Sequence, residues 1–163
     1  MVELVSNLRY GYGSIDDMDE IIALANTWWK DASFYKETHM EFKPDQDLFR
    51  DLYKAGVLFI VVGRAEDDSI KACYISIISN YTFNSSYKYS AEVVWCIHED
   101  YRKGREVLRL IASIEQGLTS SGVDLFDLNL PVQENTSSLA SYLTKKKGFF
   151  QQDLSIFKEI KHG

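Results

Sequence analysis

The sequence predicts an α/β domain built on a mixed, mainly antiparallel sheet with helices on both faces, in the order β-α-α-β-β-β-α-β-α-β. Three observations predict it. Val57–Gly63 and Ile70–Ser79 are apolar runs separated by the turn signal Glu66-Asp67-Asp68-Ser69, so the middle of the chain reads as antiparallel strands. Tyr89–Ile97 is nearly continuous in apolar residues, which predicts a strand buried on both faces. Beyond it, helical stripes alternate with short apolar runs, which is βαβ character. With 163 residues and no linker or internal repeat, residues 1–163 read as one domain.

Each element has its own signal. Val5–Gly13 alternates weakly and ends in Gly-x-Gly, as a first strand would. Ser14-Ile-Asp-Asp17 is a capping-box-like start, followed at helical spacing by Met18, Ile21, Ile22, Ala25, Trp28 and Trp29. Ala32–Lys43 is irregular and aromatic. Asp45 is placed to cap a second helix with Leu48, Leu52 and Tyr53 inward, closed by Gly56. After the two central strands, Asn80–Ser86 is polar and reads as a loop before Tyr89–Ile97. A long helix follows from Gly104, with Val107, Leu110, Ile111, Ile114 and Leu118 on one stripe, ending at Ser121-Gly122. Val123–Leu130 is the next strand. Asn135 caps a helix carrying Leu139 and Leu143 that Gly148 ends, and Leu154–Ile160 is a last strand.

Composition narrows the function. Apolar residues make up 45% and charged residues 26%, a globular and not a disordered balance. The longest apolar run is Val57–Val62, whereas a membrane span needs about twenty residues. Met1–Tyr10 has no apolar stretch behind a basic one, so the expectation is a cytoplasmic protein with no membrane partner. The net charge is −6, and the one dense basic run, Lys145-Lys146-Lys147, suits the end of a helix. Nucleic acid is not an expected partner. Cys73 and Cys96 have no metal-ligand spacing and read as small buried hydrophobes, so no metal is expected. No serine elbow, zinc motif, P-loop or dinucleotide fingerprint is present.

The segment AEVVWCIHEDYRKGREVLRLIASIE, Ala91–Glu115, resembles the central motif of the GNAT-type N-acetyltransferases. In that family a strand runs into a His-Pro-x-Tyr-Arg-like turn, and Arg/Gln-x-x-Gly-x-Gly/Ala opens a helix. Asn135 through Gly148-Phe149 resembles the family's second signature, an Asn-capped helix ending in Gly-Phe. The order of elements is similar from end to end, and the short, divergent form is similar to members carried by bacterial viruses. The resemblance implies a GNAT-like fold, acetyl-CoA as cosubstrate and an amine acceptor, either a small molecule or a protein. A homodimer stays open.

Physical chemistry gives the turn a reason. Backbone N–H groups at a helix N-terminus lack intrahelical partners and, with the helix dipole, favour phosphate. Arg102, Lys103 and Arg105 add positive charge around Gly104. The strand end, Cys96, Ile97 and His98, offers backbone groups to an extended pantetheine arm. The resemblance thus implies a cofactor site of Cys96, Ile97, His98, Arg102, Lys103, Gly104, Arg105, Val107 and Asn135. Aligned from Arg102, the family's two small positions fall on Arg105 and Val107. Either the turn is shifted by one residue, or Arg105 supplies a side chain where the family uses bare backbone, or the loop no longer binds. The last option is a second reading of the whole chain: a degenerate GNAT-like binding module or inhibitor of a partner protein.

Acetyl transfer to an amine also needs a base, because a lysine-like amine, with a pKa of about 10.4, is charged at neutral pH. Glu92 stands in Glu92-Val93-Val94-Trp95-Cys96, which resembles the strand that carries the base in the family's histone-acetyltransferase branch. Burial beside such a strand should raise its pKa; the alternative is an exposed glutamate at a strand start. For the acid that protonates the leaving thiolate, Tyr142 lies seven residues after Asn135, the family's spacing. Counted back from Gly148-Phe149 the position falls on Thr144 instead. Trp28, Trp29, Tyr35 and His39 lie where the resemblance implies the acceptor pocket, and the two tryptophans also continue the core stripe of the first helix.

Overall fold

The computed structural model describes residues 7–102, 105–130, 136–152, 156 and 158–160. The predicted class holds. Five strands, β1 (Arg9–Tyr12), β2 (Leu58–Arg64), β3 (Ile70–Tyr81), β4 (Asn84–Ile97) and β5 (Leu125–Phe126), form one sheet in that order. Every neighbouring pair is antiparallel except β4 and β5, which run parallel. The described helices are α1 (Met18–Trp29), α2 (Ser33–Thr38), α3 (Gln46–Lys54), α4 (Glu106–Ser120) and α5 (Thr136–Lys146).

Strand alternation sorts the core into two layers. Leu58, Ile60, Val62, Cys73, Ile75 and Cys96 face α1, where Met18, Ile21, Leu24 and Ala25 cover them. Phe59, Val61, Ala72, Tyr74 and Ile97 face α4, whose Leu110, Ile114 and Leu118 complete the opposite layer. The α4 stripe read from the sequence is therefore its buried face. That helix approaches β2 closely: a Cβ on Gly117 would stand 2.7 Å from the Phe59 ring. Only a residue without one fits there unless the ring moves.

Local signals account for the helix ends. Ser14 and Asp17 form the expected capping box ahead of α1, with the Ser14 amide on Asp17 Oδ2 at 2.9 Å. Asp45 caps α3 by accepting from the Leu48 amide at 3.0 Å. Gly56, Gly122 and Gly148 follow α3, α4 and α5 with φ of 72°, 70° and 75°, the left-handed conformation in which glycine has no Cβ penalty.

Several expectations change. Tyr89–Ile97 is not buried on both faces: Ser90, Cys96 and Ile97 are buried, whereas Val93 is 41% exposed. Asn80–Ser86 is not a loop, because β3 and β4 continue through it to a tight hairpin turn. Its Tyr81, Phe83 and Tyr89 rings pack edge to face, which suits strands even where both faces are wet. Ala32–Lys43 contains the short helix α2. In α3 the inward residues are Phe49 and Leu52, whereas Leu48 is 53% exposed and Tyr53 38%. The strand expected over Val123–Leu130 pairs only at Leu125 and Phe126. Of the strand expected over Leu154–Ile160, Leu154, Ser155 and Phe157 lie outside the described residues, and Ile156 and Lys158–Ile160 belong to no regular element. No helix among the described residues is long and apolar enough to cross a membrane.

Candidate active site between the fourth and fifth strands

The site is created by a parting of strands. β5 pairs with β4 at Tyr89 and Ser90 and then stops. On its other side β4 stays paired with β3, but Val94 stands opposite Ile75 and Glu92 opposite Ser76. Val93 is thus an extra residue, a bulge, and bulges re-aim the side chains beside them. Before the bulge, Ser90 and Glu92 share the α4 face of the sheet; after it, Trp95 and Ile97 take that face.

Where β4 and β5 separate, side chains take over from the ladder. The Glu92 amide donates to Asp127 Oδ1 at 2.6 Å, and the Tyr89 hydroxyl donates to Asp127 Oδ2 at 2.8 Å. In return the Asn129 amide donates to Glu92 Oε2 at 2.5 Å, and the Trp95 indole donates to the Asn129 carbonyl at 2.7 Å. Behind Glu92 lies a buried hydroxyl group of three, with Ser90 on Ser76 at 2.7 Å and Tyr74 against Ser90 at 3.4 Å.

These surroundings set the charges. Burial lifts the Glu92 carboxyl to about 7; the Asn129 amide pulls it back, and the nearby Asp127 charge pushes it up further. Burial also raises the Tyr74 hydroxyl to about 12, and burial together with the bond to Asp127 raises Tyr89. A carboxyl that changes charge near neutral pH can take a proton and give it up again, which suits a general base.

The strand end and the following turn make a second feature. Cys96 and Ile97 are buried, and His98 leads into a 3-10 turn at Glu99–Tyr101. The Arg102 Nε donates to the Ile97 carbonyl at 2.8 Å, so this side chain ties the turn to the strand. Lys103 and Gly104 lie outside the described residues. α4 begins at Glu106, after Arg105, and among the described residues its first helical bond runs from the Arg109 amide to the Arg105 carbonyl at 3.0 Å. The amides of Glu106, Val107 and Leu108 precede that bond, which is where a helix has donors to spare. Arg105 is exposed, and Val107 packs into the α4 layer, so the valine side chain is spent on the core. The Glu106 carboxylate is buried and held by the Tyr10 hydroxyl at 2.9 Å and by Arg109 at 2.5 Å. That cluster fixes the start of α4 to β1.

The remaining predicted residues sit elsewhere. Tyr142 is 40% exposed on α5, where Ser137, Ser138, Ser141, Lys145 and Lys146 join it around a surface cavity of about 450 Å³. Asn135 lies outside the described residues. The Thr144 hydroxyl is turned back onto the Ala140 carbonyl at 2.9 Å. Among the described residues, no hydrogen bond brings Tyr142 into the Glu92 network. Phe149 does reach β5, meeting Phe126 edge to face at 5.4 Å. Trp28 packs against the α1 layer. Trp29 binds the Met40 carbonyl through its indole at 2.9 Å and touches the rings of Phe34 and Phe42. Tyr35 and His39 meet edge to face, with His39 closing α2 at φ 55°.

Asp127, Asn129 and Tyr89 were not singled out in the sequence. The signal available was an acidic residue inside Leu125–Leu130, where a buried parallel strand would be apolar throughout. No group of His, Cys, Asp and Glu side chains suited to a metal ion occurs among the described residues.

No protein-family model matches the chain, and no curated protein matches it in sequence. Solved structures do. An aminoglycoside acetyltransferase from an uncultured soil metagenomic sample, in complex with trehalose, superposes with a TM-score of 0.70 at 13% identity, over 99% of this chain and 100% of that one. Glucosamine-6-phosphate N-acetyltransferase from Arabidopsis thaliana gives 0.67 at 15%, over 96% and 100%. A Trypanosoma brucei acetyltransferase gives 0.66 at 14%, over 94% and 100%. These likenesses carry no information on a viral source. Together with the five-stranded sheet and its parting between β4 and β5, they show that the chain has the fold of the GNAT-type acetyltransferases.

Proposed function

We propose that the protein is an N-acetyltransferase that moves an acetyl group from acetyl-CoA to an amine by direct attack. The observation that carries the reading is Glu92, a largely buried carboxyl at the parting of two strands whose charge changes at about 7. Acetyl-CoA supplies the activated acetyl group. The residues that suit its pyrophosphate are the first amides of α4, with Arg102 and Arg105 alongside and with Lys103 and Gly104 between them in sequence. Cys96, Ile97 and His98 would offer backbone to the pantetheine arm, and Asn135 would act from the start of α5.

In this scheme Glu92 takes a proton from the amine, directly or through one water. The amine nitrogen then bonds to the acetyl carbon, the carbon–sulfur bond breaks, the nitrogen gives up its second proton to solvent, and Tyr142 supplies a proton to the departing thiolate. Trp28, Trp29, Tyr35 and His39 border the acceptor, a small-molecule or protein amine. The buried free thiols Cys73 and Cys96 suit a reducing cytoplasm. A binding module that has lost transfer is favoured by Arg105 standing at a small position, but Val107, the other departure, is turned into the core.

The test is Glu92→Gln, which keeps the shape and the Asn129 contact and removes the basicity. It should leave acetyl-CoA affinity nearly intact, measured by thermal shift, and lower transfer by about 10²–10⁴ across an amine panel. Equal rates in both proteins, with chemistry rate-limiting, would refute the base. Wild type that binds CoA and acetylates nothing would favour the binding module, and wild type that binds no CoA would end the proposal.

A further inference from the structure

We propose that Asp127 is a positioning residue for Glu92, a carboxylate that replaces the missing β4–β5 ladder and fixes where the proton acceptor stands. The inference rests on the reading of Glu92 as that acceptor. Three features carry it. Asp127 lies directly after the last paired residue of β5, at the point where backbone pairing ends. Its two oxygens hold β4 at two places, the Glu92 amide at 2.6 Å and the Tyr89 hydroxyl at 2.8 Å. Those places flank Ser90, where the ladder is still closed, so the clamp sits at the mouth of the parting. The Asn129 amide, two residues on, completes a loop of bonds back to Glu92 Oε2 at 2.5 Å. One short segment therefore holds both the backbone and the side chain of Glu92.

The electrostatics follow from the same geometry. The Asp127 carboxylate gathers two donors beside Glu92, and a neighbouring negative charge disfavours the ionisation of Glu92. The groups that act on Glu92 among the described residues are few. On the β5 side are Asp127, which opposes its charge, and Asn129, whose amide favours it. On β3 is Tyr74, whose own titration feels both Glu92 and Asp127. On β4 is Tyr89, tied to Asp127. No cation is among them, so neutralising Asp127 should make Glu92 more acidic.

The experiment follows the carboxyl carbons of Glu92 and Asp127 by NMR through a pH titration of the full chain, alongside the pH dependence of transfer. In Asp127→Asn the amide side chain can still accept from the Glu92 N–H. The Glu92 midpoint should fall by on the order of one pH unit, the scale a close charge produces. The acid limb of the rate profile should fall with it, and Asp127→Glu should restore both toward wild type. Asp127→Ala should speed exchange of the Glu92 amide about tenfold or more, as expected when a hydrogen bond to a charged group is lost. An unchanged Glu92 midpoint in folded Asp127→Asn would overturn the inference. Should that variant not fold, wild type decides: with the two carboxyl groups side by side, the Asp127 carboxyl resonance must move as Glu92 changes charge, and a resonance that does not respond is equally fatal. If Glu92→Gln keeps full activity while Asp127→Asn still moves the Glu92 midpoint, the base reading has failed and the positioning of Glu92 has not.

Discussion

Glu92→Gln should make the protein more stable above neutral pH while disabling it. The folded state lifts the Glu92 carboxyl from the ordinary 4.5 to about 7, chiefly through burial. The native protein therefore binds this proton more tightly than the unfolded chain does. Below 4.5 the group is protonated in both states and costs nothing. Between 4.5 and 7 the unfolded chain ionises and the native state does not, so stability falls as pH rises. Above 7 both are ionised and the cost is complete: about 3 kcal/mol, at about 1.4 kcal/mol per pH unit. Glutamine carries no such charge and keeps an oxygen for the Asn129 amide. Urea unfolding of both proteins from pH 4.5 to 8.5 isolates the effect, because titrating groups that do not feel Glu92 cancel in the difference. The variant should gain up to about 3 kcal/mol over wild type as pH rises, levelling off above pH 7. A difference that stays flat across the range would refute the burial argument, and with it the reason for assigning Glu92 a near-neutral charge change.

Two further outcomes test the flanks of the site. Arg105→Ala should weaken CoA binding about tenfold and flatten its salt dependence; this variant is cleaner than one at Arg102, whose side chain also ties the Ile97 carbonyl, and unchanged affinity measured by calorimetry would remove Arg105 from the phosphate site. Trp29→Leu removes the indole bond to Met40 and the ring contacts with Phe34 and Phe42, so hydrogen exchange should accelerate across Ser33–Lys43 and stay unchanged in β2–β4; equal protection in both proteins would show that the indole does not hold this segment.

Much of the architecture was legible because burial writes itself into periodicity. Leu110, Ile111, Ile114 and Leu118 recur at helical spacing because one face of α4 covers the sheet. The runs over β2 and the first half of β3 are apolar because both faces are covered. The same logic explains the misses. The outer half of the β3–β4 hairpin has solvent on both faces, so Asn80–Ser86 carries no alternation and its polar residues imitate a loop. In α3 the Asp45 cap fixed the start, but the inward phase fell on Phe49 and Leu52, one step away from Leu48 and Tyr53. Glu92 was legible through a resemblance of its strand. Asp127 was not, because its part depends on a partner thirty-five residues away in sequence and on a ladder that stops, and neither leaves a local pattern.

The cost of the site and its proposed use have one origin. A continued β4–β5 ladder would satisfy the backbone with backbone, and no acidic side chain would be needed there. By stopping after Ser90, the sheet leaves backbone groups of Glu92 and Asn129 that must be met in other ways, since buried polar groups without partners are costly. Asp127, Glu92 and the Trp95 indole meet them. Two carboxyl groups are thereby drawn to one place, and one of them is kept near the threshold of ionisation. That arrangement lowers stability at neutral pH, and the proposed role, which needs an open strand edge and a proton acceptor beside it, gives a reason for retaining it. A fold selected for stability alone would close the strands and lose the acid at position 127 first.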